Sequence, residues 1–220
     1  MKTEIQSMIT ELQKIAVPEH RYSSFDYCYN HFYKINSERA SRDLEKSCAI
    51  LGFYLASWGM FRGSSFLLQK SYKYFIPLIK YISEIESSVW DYQPTDYLIE
   101  DERNRIIEIY ERIKEKVIEG GNQSKTLVTK IMLGTIGVIP AYDEYFCKAF
   151  KEIDPTKSKF SVFNKDSLII LGNFYVNNKK EIDDLSTRIK TKKFEDASGY
   201  LQYPKAKIID MYGFAKGMKK

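Results

Sequence analysis

The sequence predicts an all-α protein, and three observations support this prediction. Apolar residues recur at the spacing of amphipathic helices along most of the chain, beginning with Ile5, Met8, Ile9 and Leu12. No segment alternates like a strand and no Asn-Gly or Asp-Gly turn joins two apolar runs, so we expect no sheet. The 220 residues are 44% hydrophobic and 29% charged, which suffices for one packed core. We expect a compact, bundle-like domain over residues 1–220.

The helix boundaries follow from capping residues, glycines and prolines. Pro18 closes the first helix, Ser37 is a suitable N-cap, and Gly120-Gly121 stops a charged amphipathic helix. Residues 87–94 and 154–163 are polar or turn-rich and mark the two places where sub-domains could join. About nine or ten helices are predicted, at roughly 5–15, 25–35, 38–58, 64–85, 98–117, 127–138, 141–153, 164–176, 179–190 and 204–218.

The cysteine and histidine content excludes several kinds of site. The three cysteines are far apart and lack C-x-x-C spacing, which argues against a disulfide framework and a structural zinc site. Only two histidines are present, so we predict no metal and no cofactor. Residues 48–69 are uncharged except for Arg62, which lies in a glycine-rich break of this apolar run. A charge and a helix break at this position would be costly inside a bilayer. We therefore expect a cytoplasmic protein that is not embedded in a membrane; the sequence does not indicate its oligomeric state.

The net charge of +5 is concentrated at the C-terminal end. Residues 179–220 hold eleven Lys and Arg against six Asp and Glu, so that the other 23 basic and 23 acidic residues cancel. Lysines interleaved with aromatic residues are typical of contact with DNA or another polyanion, and a solvated charged loop is the alternative. The candidate nucleic-acid-binding residues are Lys190, Lys192, Lys193, Lys205 and Lys207.

Residues 58–65, WGMFRGSS, form a first candidate ligand site. Glycines let a backbone approach a ligand, and a helix that begins at Ser64 or Ser65 would offer free N–H groups to an anion. Arg62 beside them could clamp a phosphate or carboxylate, together with Trp58. The alternative is that Arg62 forms a structural ion pair with a core carboxylate.

Residues 120–143 form a second candidate site. A glycine turn leads into Lys125 and Thr126 at a helix start, and Asp143 opens the next helix eighteen positions after the lysine. A lysine and an aspartate brought together at helix N-termini can act as nucleophile and base. Lys130, deeper in the apolar helix, is a second candidate for the lysine. The alternative is that Lys125 is a surface lysine and Asp143 a helix-capping acid.

Here KTLVTKIMLGTIGVIPAYD resembles the helix-hairpin-helix DNA glycosylases, in which a glycine hairpin and Lys-Thr precede an apolar helix, a proline and an aspartate. The resemblance covers about 25 residues. It implies an all-α fold, binding to duplex DNA, base flipping and glycosidic cleavage. By this resemblance Lys125 is the nucleophile and Asp143 the activating carboxylate. The turn lacks the family's proline and Gly-x-Gly spacing, and no iron–sulfur cysteine set is present after it.

Three classes of function are open on the sequence. The favoured one is a non-catalytic binding protein for a nucleic-acid or phosphate-bearing partner. The second is an enzyme of the glycosylase type that uses Lys125 and Asp143. The third is a protein-interaction module.

Overall fold

The computed structural model describes residues 3–38, 43–119, 125–154 and 159–219. Ten α-helices lie in these ranges, with short 3₁₀ segments between them. The prediction that the protein is mainly α-helical is confirmed. The helices are α1 (Glu4–Ile15), α2 (Ser24–Glu38), α3 (Leu44–Ser57), α4 (Ile76–Ile82), α5 (Glu100–Val117), α6 (Lys125–Thr135), α7 (Glu144–Phe150), α8 (Lys165–Asn177), α9 (Lys179–Arg188) and α10 (Lys205–Met218).

Several helices begin at a side chain that caps their free N–H groups. Thr3 accepts a hydrogen bond from the backbone of Gln6 at the start of α1, and Asp43 caps α3 in the same way. Asn164 forms a reciprocal capping box at the start of α8. The predicted helix start at Ser37 is wrong, because Ser37 lies within α2 and the next helix begins after Asp43. The predicted turn at Gly120-Gly121 lies outside the described residues.

The prediction that there is no sheet is wrong. Strand β1 (Lys190–Lys192) pairs antiparallel with β2 (Gly199–Gln202) in a small hairpin after α9. Buried Thr191 joins the strands, because its hydroxyl accepts the N–H of Leu201 at 3.0 Å. Strands of three and four residues are too short for alternation to appear in the sequence, which is why the hairpin was not predicted.

The helix predicted at 64–85, with a bend or restart at Pro77, forms only from Ile76 onward. Two 3₁₀ turns, Phe66–Gln69 and Tyr72–Phe75, occupy its first half, and only α4 is α-helical. Gly59 and Gly63 adopt φ of 77° and 62°, so the chain leaves α3 in a left-handed turn. The glycine break was therefore predicted in the right place, but the segment after the break is irregular.

Buried apolar side chains from all ten helices join in one hydrophobic cluster. Val89 and Trp90, in the first suggested sub-domain junction, are buried in it. The second junction, 154–163, lies partly outside the described ranges. The division into domains stays a prediction, but the side chains near 89 form part of the common core.

Helix α10 positions the parts of the candidate site. It packs against α1, α7 and α9, and most of its residues are buried. Its close approach to α7 depends on glycine, because a Cβ on Gly217 would lie 2.0 Å from the carbonyl oxygen of Tyr145. Trp58, which follows α3, contacts Phe214 of α10, and Lys130 in the middle of α6 lies near the Trp58 ring. These contacts bring Trp58, Lys130 and Asp210 together.

We expect Gly217→Ala to lower the free energy of unfolding by about 1–3 kcal/mol, because backbone atoms must move to admit the methyl group. Gly52→Ala is the matched control: it is also helical, and its Cβ would meet its nearest neighbours at 3.7 and 3.8 Å. That variant should be neutral or gain up to about 1 kcal/mol from helix propensity. Urea unfolding followed by circular dichroism measures both; equal stabilities would contradict the close crossing of α7 and α10.

Candidate functional site

Trp58 is the centre of the candidate site. It follows α3 directly, as the C-cap residue, and is half-buried. Its indole stacks on Tyr22 with a centroid distance of 5.4 Å and an interplanar angle of 13°. Phe214 of α10 meets the indole edge-on, at 5.7 Å and 89°. Three aromatic rings from distant parts of the sequence thus line one region.

Two buried lysines place their ammonium groups near the same indole. The Nζ of Lys130 lies 4.6 Å from a Trp58 ring centroid, and that of Lys207 lies at 5.4 Å. These lysines are only 4% and 5% exposed, a level that lysine seldom reaches without a partner. Exposed Arg21 adds a third cation, with its Cζ 5.7 Å from the indole. Cations at these distances are attracted to the indole ring.

Each buried lysine is paired with an aspartate. Lys130 Nζ lies 3.0 Å from Asp143 Oδ2, and Lys207 Nζ lies 2.7 Å from Asp210 Oδ2. The second carboxylate oxygens also have partners: that of Asp143 caps α7, and that of Asp210 accepts the N–H of Ala141 at 3.0 Å. Both carboxylates are thereby fixed in position. Trp58, Tyr22, Phe214 and these two ion pairs together form the Trp58 cluster.

A small cavity of about 30 Å³ opens beside the cluster. By volume it has room for about two water molecules. Trp58 lines it, and the Nε1 atom of this indole is buried without a hydrogen-bond partner among the described residues. Buried donors of this kind are uncommon in folded proteins. The cluster residues that line the cavity are Tyr22, Trp58, Lys207, Asp210 and Phe214.

Trp90, the other tryptophan, provides a contrast. Its Nε1 is also buried and unpaired, and it lines a cavity of about 20 Å³. That cavity is lined by apolar, serine and asparagine side chains, with no charged group. An unpaired indole N–H is therefore not unique to Trp58. The combination with two buried ammonium groups distinguishes Trp58 from Trp90.

Hydrogen bonds behind the cavity fix the position of Tyr203, one of the residues that line it. Tyr203 lines the cavity and donates its hydroxyl to Asp26 Oδ1 at 2.5 Å. The other oxygen of Asp26 accepts the backbone N–H of Lys192 at 3.2 Å. Burial raises the pKa of Asp26 to about 6, although the Tyr203 hydrogen bond and nearby lysines act in the opposite direction. Through these hydrogen bonds, Asp26 links α2 and the β1–β2 hairpin to Tyr203 in the cavity wall.

Of the four predicted ligand-binding residues, only Trp58 belongs to the cluster. Arg62 is exposed, and its guanidinium lies against Gly59, where an added Cβ would be 2.7 Å from Nε. The alternative, a buried ion pair of Arg62 with a core acid, is not seen among the described residues. Ser64 is exposed, and Ser65 donates its hydroxyl to the carbonyl of Met60 at 2.6 Å. The segment opens a 3₁₀ turn, so the α-helix N-terminus expected there as an anion site does not form.

The structure pairs Asp143 with Lys130, the second candidate, and not with Lys125. Lys125 begins α6 and Asp143 caps α7, as the sequence pattern predicted. However, Lys125 Nζ donates to the carbonyls of Phe160 and Ser161 at 3.0 and 3.1 Å. The two lysines are five residues apart in one helix. Their side chains therefore leave α6 about 140° apart.

The five predicted nucleic-acid-binding lysines separate into two groups. Lys190 and Lys193 are exposed on the hairpin. The others make internal contacts: Lys192 donates to the Ser23 hydroxyl at 2.9 Å, Lys205 pairs with Asp183 at 3.1 Å, and Lys207 is in the Trp58 cluster. The basic region of the sequence is thus only in part a basic surface.

Several residues of the cluster were not predicted from sequence. Lys207 was predicted as a surface contact, and Asp210, Tyr22 and Phe214 were assigned no role. One signal was available: Lys207 and Asp210 are three residues apart and flank Ile208-Ile209 in an otherwise apolar stretch of helix. Tyr22 had no comparable signal, because its position depends on contacts with residues far away in the chain.

We found no match to the chain among protein-family models, curated proteins or solved structures. The described residues include no group of three or more His, Cys, Asp and Glu side chains arranged to hold a metal. None of the helices in the described ranges has the length and apolar content that crossing a membrane requires. Function is therefore proposed from the geometry of the Trp58 cluster.

We expect Lys130→Met to lower the free energy of unfolding by about 3 kcal/mol, because it leaves the partly buried carboxylate of Asp143 without its cation. Adding Asp143→Asn to this variant should recover part of the loss, since a neutral amide needs no counter-charge. Lys125→Met is the control and should cost about 1 kcal/mol, the net value of ordinary hydrogen bonds. Denaturant titrations give all values. A Lys130→Met variant as stable as Lys125→Met would contradict a buried ion pair.

Proposed function

We propose that the protein is a binding protein, that its ligand carries a phosphate group, and that the Trp58 cluster is the binding site. One observation carries this proposal: among the described residues the buried indole N–H of Trp58 has no hydrogen-bond partner, while the same side chain lines a cavity and has two buried ammonium groups within 5.4 Å of its ring. A donor without a partner in such surroundings is what an acceptor-rich ligand would satisfy.

The two lysines retain donors for such a ligand. An ammonium group has three hydrogens, and its aspartate accepts one of them. Lys130 and Lys207 thus have N–H groups beyond those directed to Asp143 and Asp210. Phosphate oxygens accept charge-assisted hydrogen bonds of this type, which are stronger than neutral ones. The ion pairs hold the ammonium groups in place before the ligand arrives.

The surroundings of the cluster favour an anion. The guanidinium of Arg21, at the exposed edge, brings the cations near Trp58 to three, against the two carboxylates of Asp143 and Asp210. The resulting excess of one positive charge attracts anions, most strongly at low ionic strength. Burial of two ion pairs gives little stability in itself, which is consistent with a role in binding.

A small phosphate compound fits the structure better than a nucleic acid does. The hairpin, where contact with DNA or another polyanion was predicted, exposes Lys190, Lys193 and Phe194. Glu195 and Asp196 are exposed on the same turn, so the positive and negative charges there balance. Nucleic-acid affinity depends on a net positive surface that releases counterions. We therefore expect a small phosphate compound, rather than an oligonucleotide, to be the ligand.

The test uses a Trp90→Phe variant, in which Trp58 is the only tryptophan. We expect adenosine 5′-monophosphate to change the Trp58 emission saturably, and adenosine to have at least tenfold weaker affinity because it lacks the charge. Affinity should fall between about 50 and 200 mM salt as screening increases. Arg21→Ala should weaken binding severalfold, whereas Lys190→Ala, a surface lysine on the hairpin, should have no effect. No emission change with any phosphate compound would contradict the proposal.

A second candidate function, an enzyme of the glycosylase type, is favoured by the Lys130–Asp143 contact at 3.0 Å. In this hypothesis the Lys130 amine, after losing a proton, attacks a sugar carbon or carbonyl. With the aldehyde of an abasic site, the amine nitrogen bonds to carbon and water leaves, which gives an imine that borohydride reduces. Borohydride should then cross-link abasic-site DNA to the wild type and to Lys125→Ala, but not to Lys130→Ala. No cross-link with the wild type would exclude this candidate.

A further inference from the structure

We infer that the ligand of the Trp58 cluster carries a planar unsaturated ring in addition to its phosphate, and that this ring replaces Tyr22 on the face of Trp58. The inference rests on the proposed function and specifies the class of ligand: a ring-bearing phosphate such as a nucleotide. In the ligand-free protein, the ring of Tyr22 occupies the place on Trp58 that the ligand ring would take.

The first support is the stack itself. Tyr22 and Trp58 lie nearly parallel, the geometry in which a flat ligand ring binds to an indole. The other ring contacts of Tyr22 are edge-on, with His20 at 4.5 Å and Phe214 at 5.8 Å. A ring position on Trp58 therefore exists and is already filled from within the chain.

The second support is the size of the cavity. Its volume of about 30 Å³ admits a few atoms of a ligand but no six-membered ring. Cavities that take up benzene in other proteins measure roughly 150 Å³. A ligand ring can therefore reach the Trp58 face only if one of the surrounding rings moves away.

The third support is the way Tyr22 is held. It lies in the short 3₁₀ turn Arg21–Ser23, outside the α-helices, and is half-buried. Its hydroxyl makes no hydrogen bond to any described residue. Phe214 belongs to the buried α10, and Tyr203 is fixed by its hydrogen bond to Asp26. Of the rings that line the cavity beside Trp58, Tyr22 is the one that lies outside the α-helices and strands and has no side-chain hydrogen bond to a described residue.

The neighbour of Tyr22 couples this movement to the phosphate. The Cζ of Arg21 lies 5.3 Å from the Tyr22 ring and 5.7 Å from the Trp58 ring. When Tyr22 leaves, Arg21 loses one of its two aromatic contacts. Its guanidinium can then turn to the ligand phosphate, which it binds through paired N–H groups. One short turn thus supplies both the ring that leaves and a cation for the ligand.

Calorimetric titration of the full-length protein tests the inference with three probes: adenosine 5′-monophosphate, ribose 5-phosphate and adenosine. We expect the nucleotide to bind at least tenfold more tightly than ribose 5-phosphate. Tyr22→Ala should tighten nucleotide binding by about tenfold, because the ring position no longer has to be vacated. The gain for ribose 5-phosphate should be at least threefold smaller, because that probe has no ring to place on Trp58 and gains only from the release of Arg21. Tyr22→Phe, which keeps the ring, should behave like the wild type.

The outcomes separate the two proposals. If ribose 5-phosphate binds as tightly as the nucleotide, or if Tyr22→Ala weakens nucleotide binding, the ring inference is overturned while the phosphate site stands. If neither phosphate compound binds, the proposed function itself is overturned. Circular dichroism verifies the fold of each variant, and Tyr22→Leu replaces Tyr22→Ala if the latter is unfolded. Tyr22→Leu also removes the aromatic ring and should show the same selective gain.

Discussion

The burial of two ammonium groups beside Trp58 is the constraint on which the rest of the structure depends. A buried charge is tolerated only with a counter-charge and further hydrogen bonds. Asp143 and Asp210 meet this requirement, and each also binds a backbone N–H outside its own pair. The segment between α6 and α7 is thereby held against α10 through Asp210 and against α6 through Asp143. Removing either lysine would leave the segment anchored to a carboxylate without its cation.

The cluster combines a rigid part with a replaceable one. The end of α3, the middle of α6 and the buried α10 supply Trp58, Lys130 and Asp210. The crossing at Gly217 leaves α10 no room to shift toward α7. On the other side, Tyr22 comes from a short turn and touches its neighbours through its ring. A binding site needs such a division, because fixed donors recognise the ligand while a mobile group admits it.

Local features of the fold were predictable from the sequence, whereas contacts between distant residues were not. Helix periodicity and capping acids are short-range signals, and the helix opened by Asp143 was correctly placed from them. The β-hairpin was missed because its strands of three and four residues are too short to show a sustained alternation of apolar and polar residues. Within the site, Trp58 was identified from its segment. The partner of Asp143 depended on which lysine of α6 reaches its carboxylate: Lys130 does, whereas Lys125 is directed to the carbonyls of Phe160 and Ser161.

The most direct test of a ligand-binding role for Trp58 is the NMR signal of its indole N–H, assigned with the Trp90→Phe variant. Both indole N–H groups are buried and unpaired, but Trp90 has no charged group lining its cavity. Trp90 therefore serves as the internal reference in the wild-type protein. We expect adenosine 5′-monophosphate to shift the Trp58 indole N–H signal, because a new hydrogen bond or stacked ring changes its surroundings. The Trp90 signal should not change. A Trp58 signal that stays in place at millimolar nucleotide would contradict a ligand site at this residue.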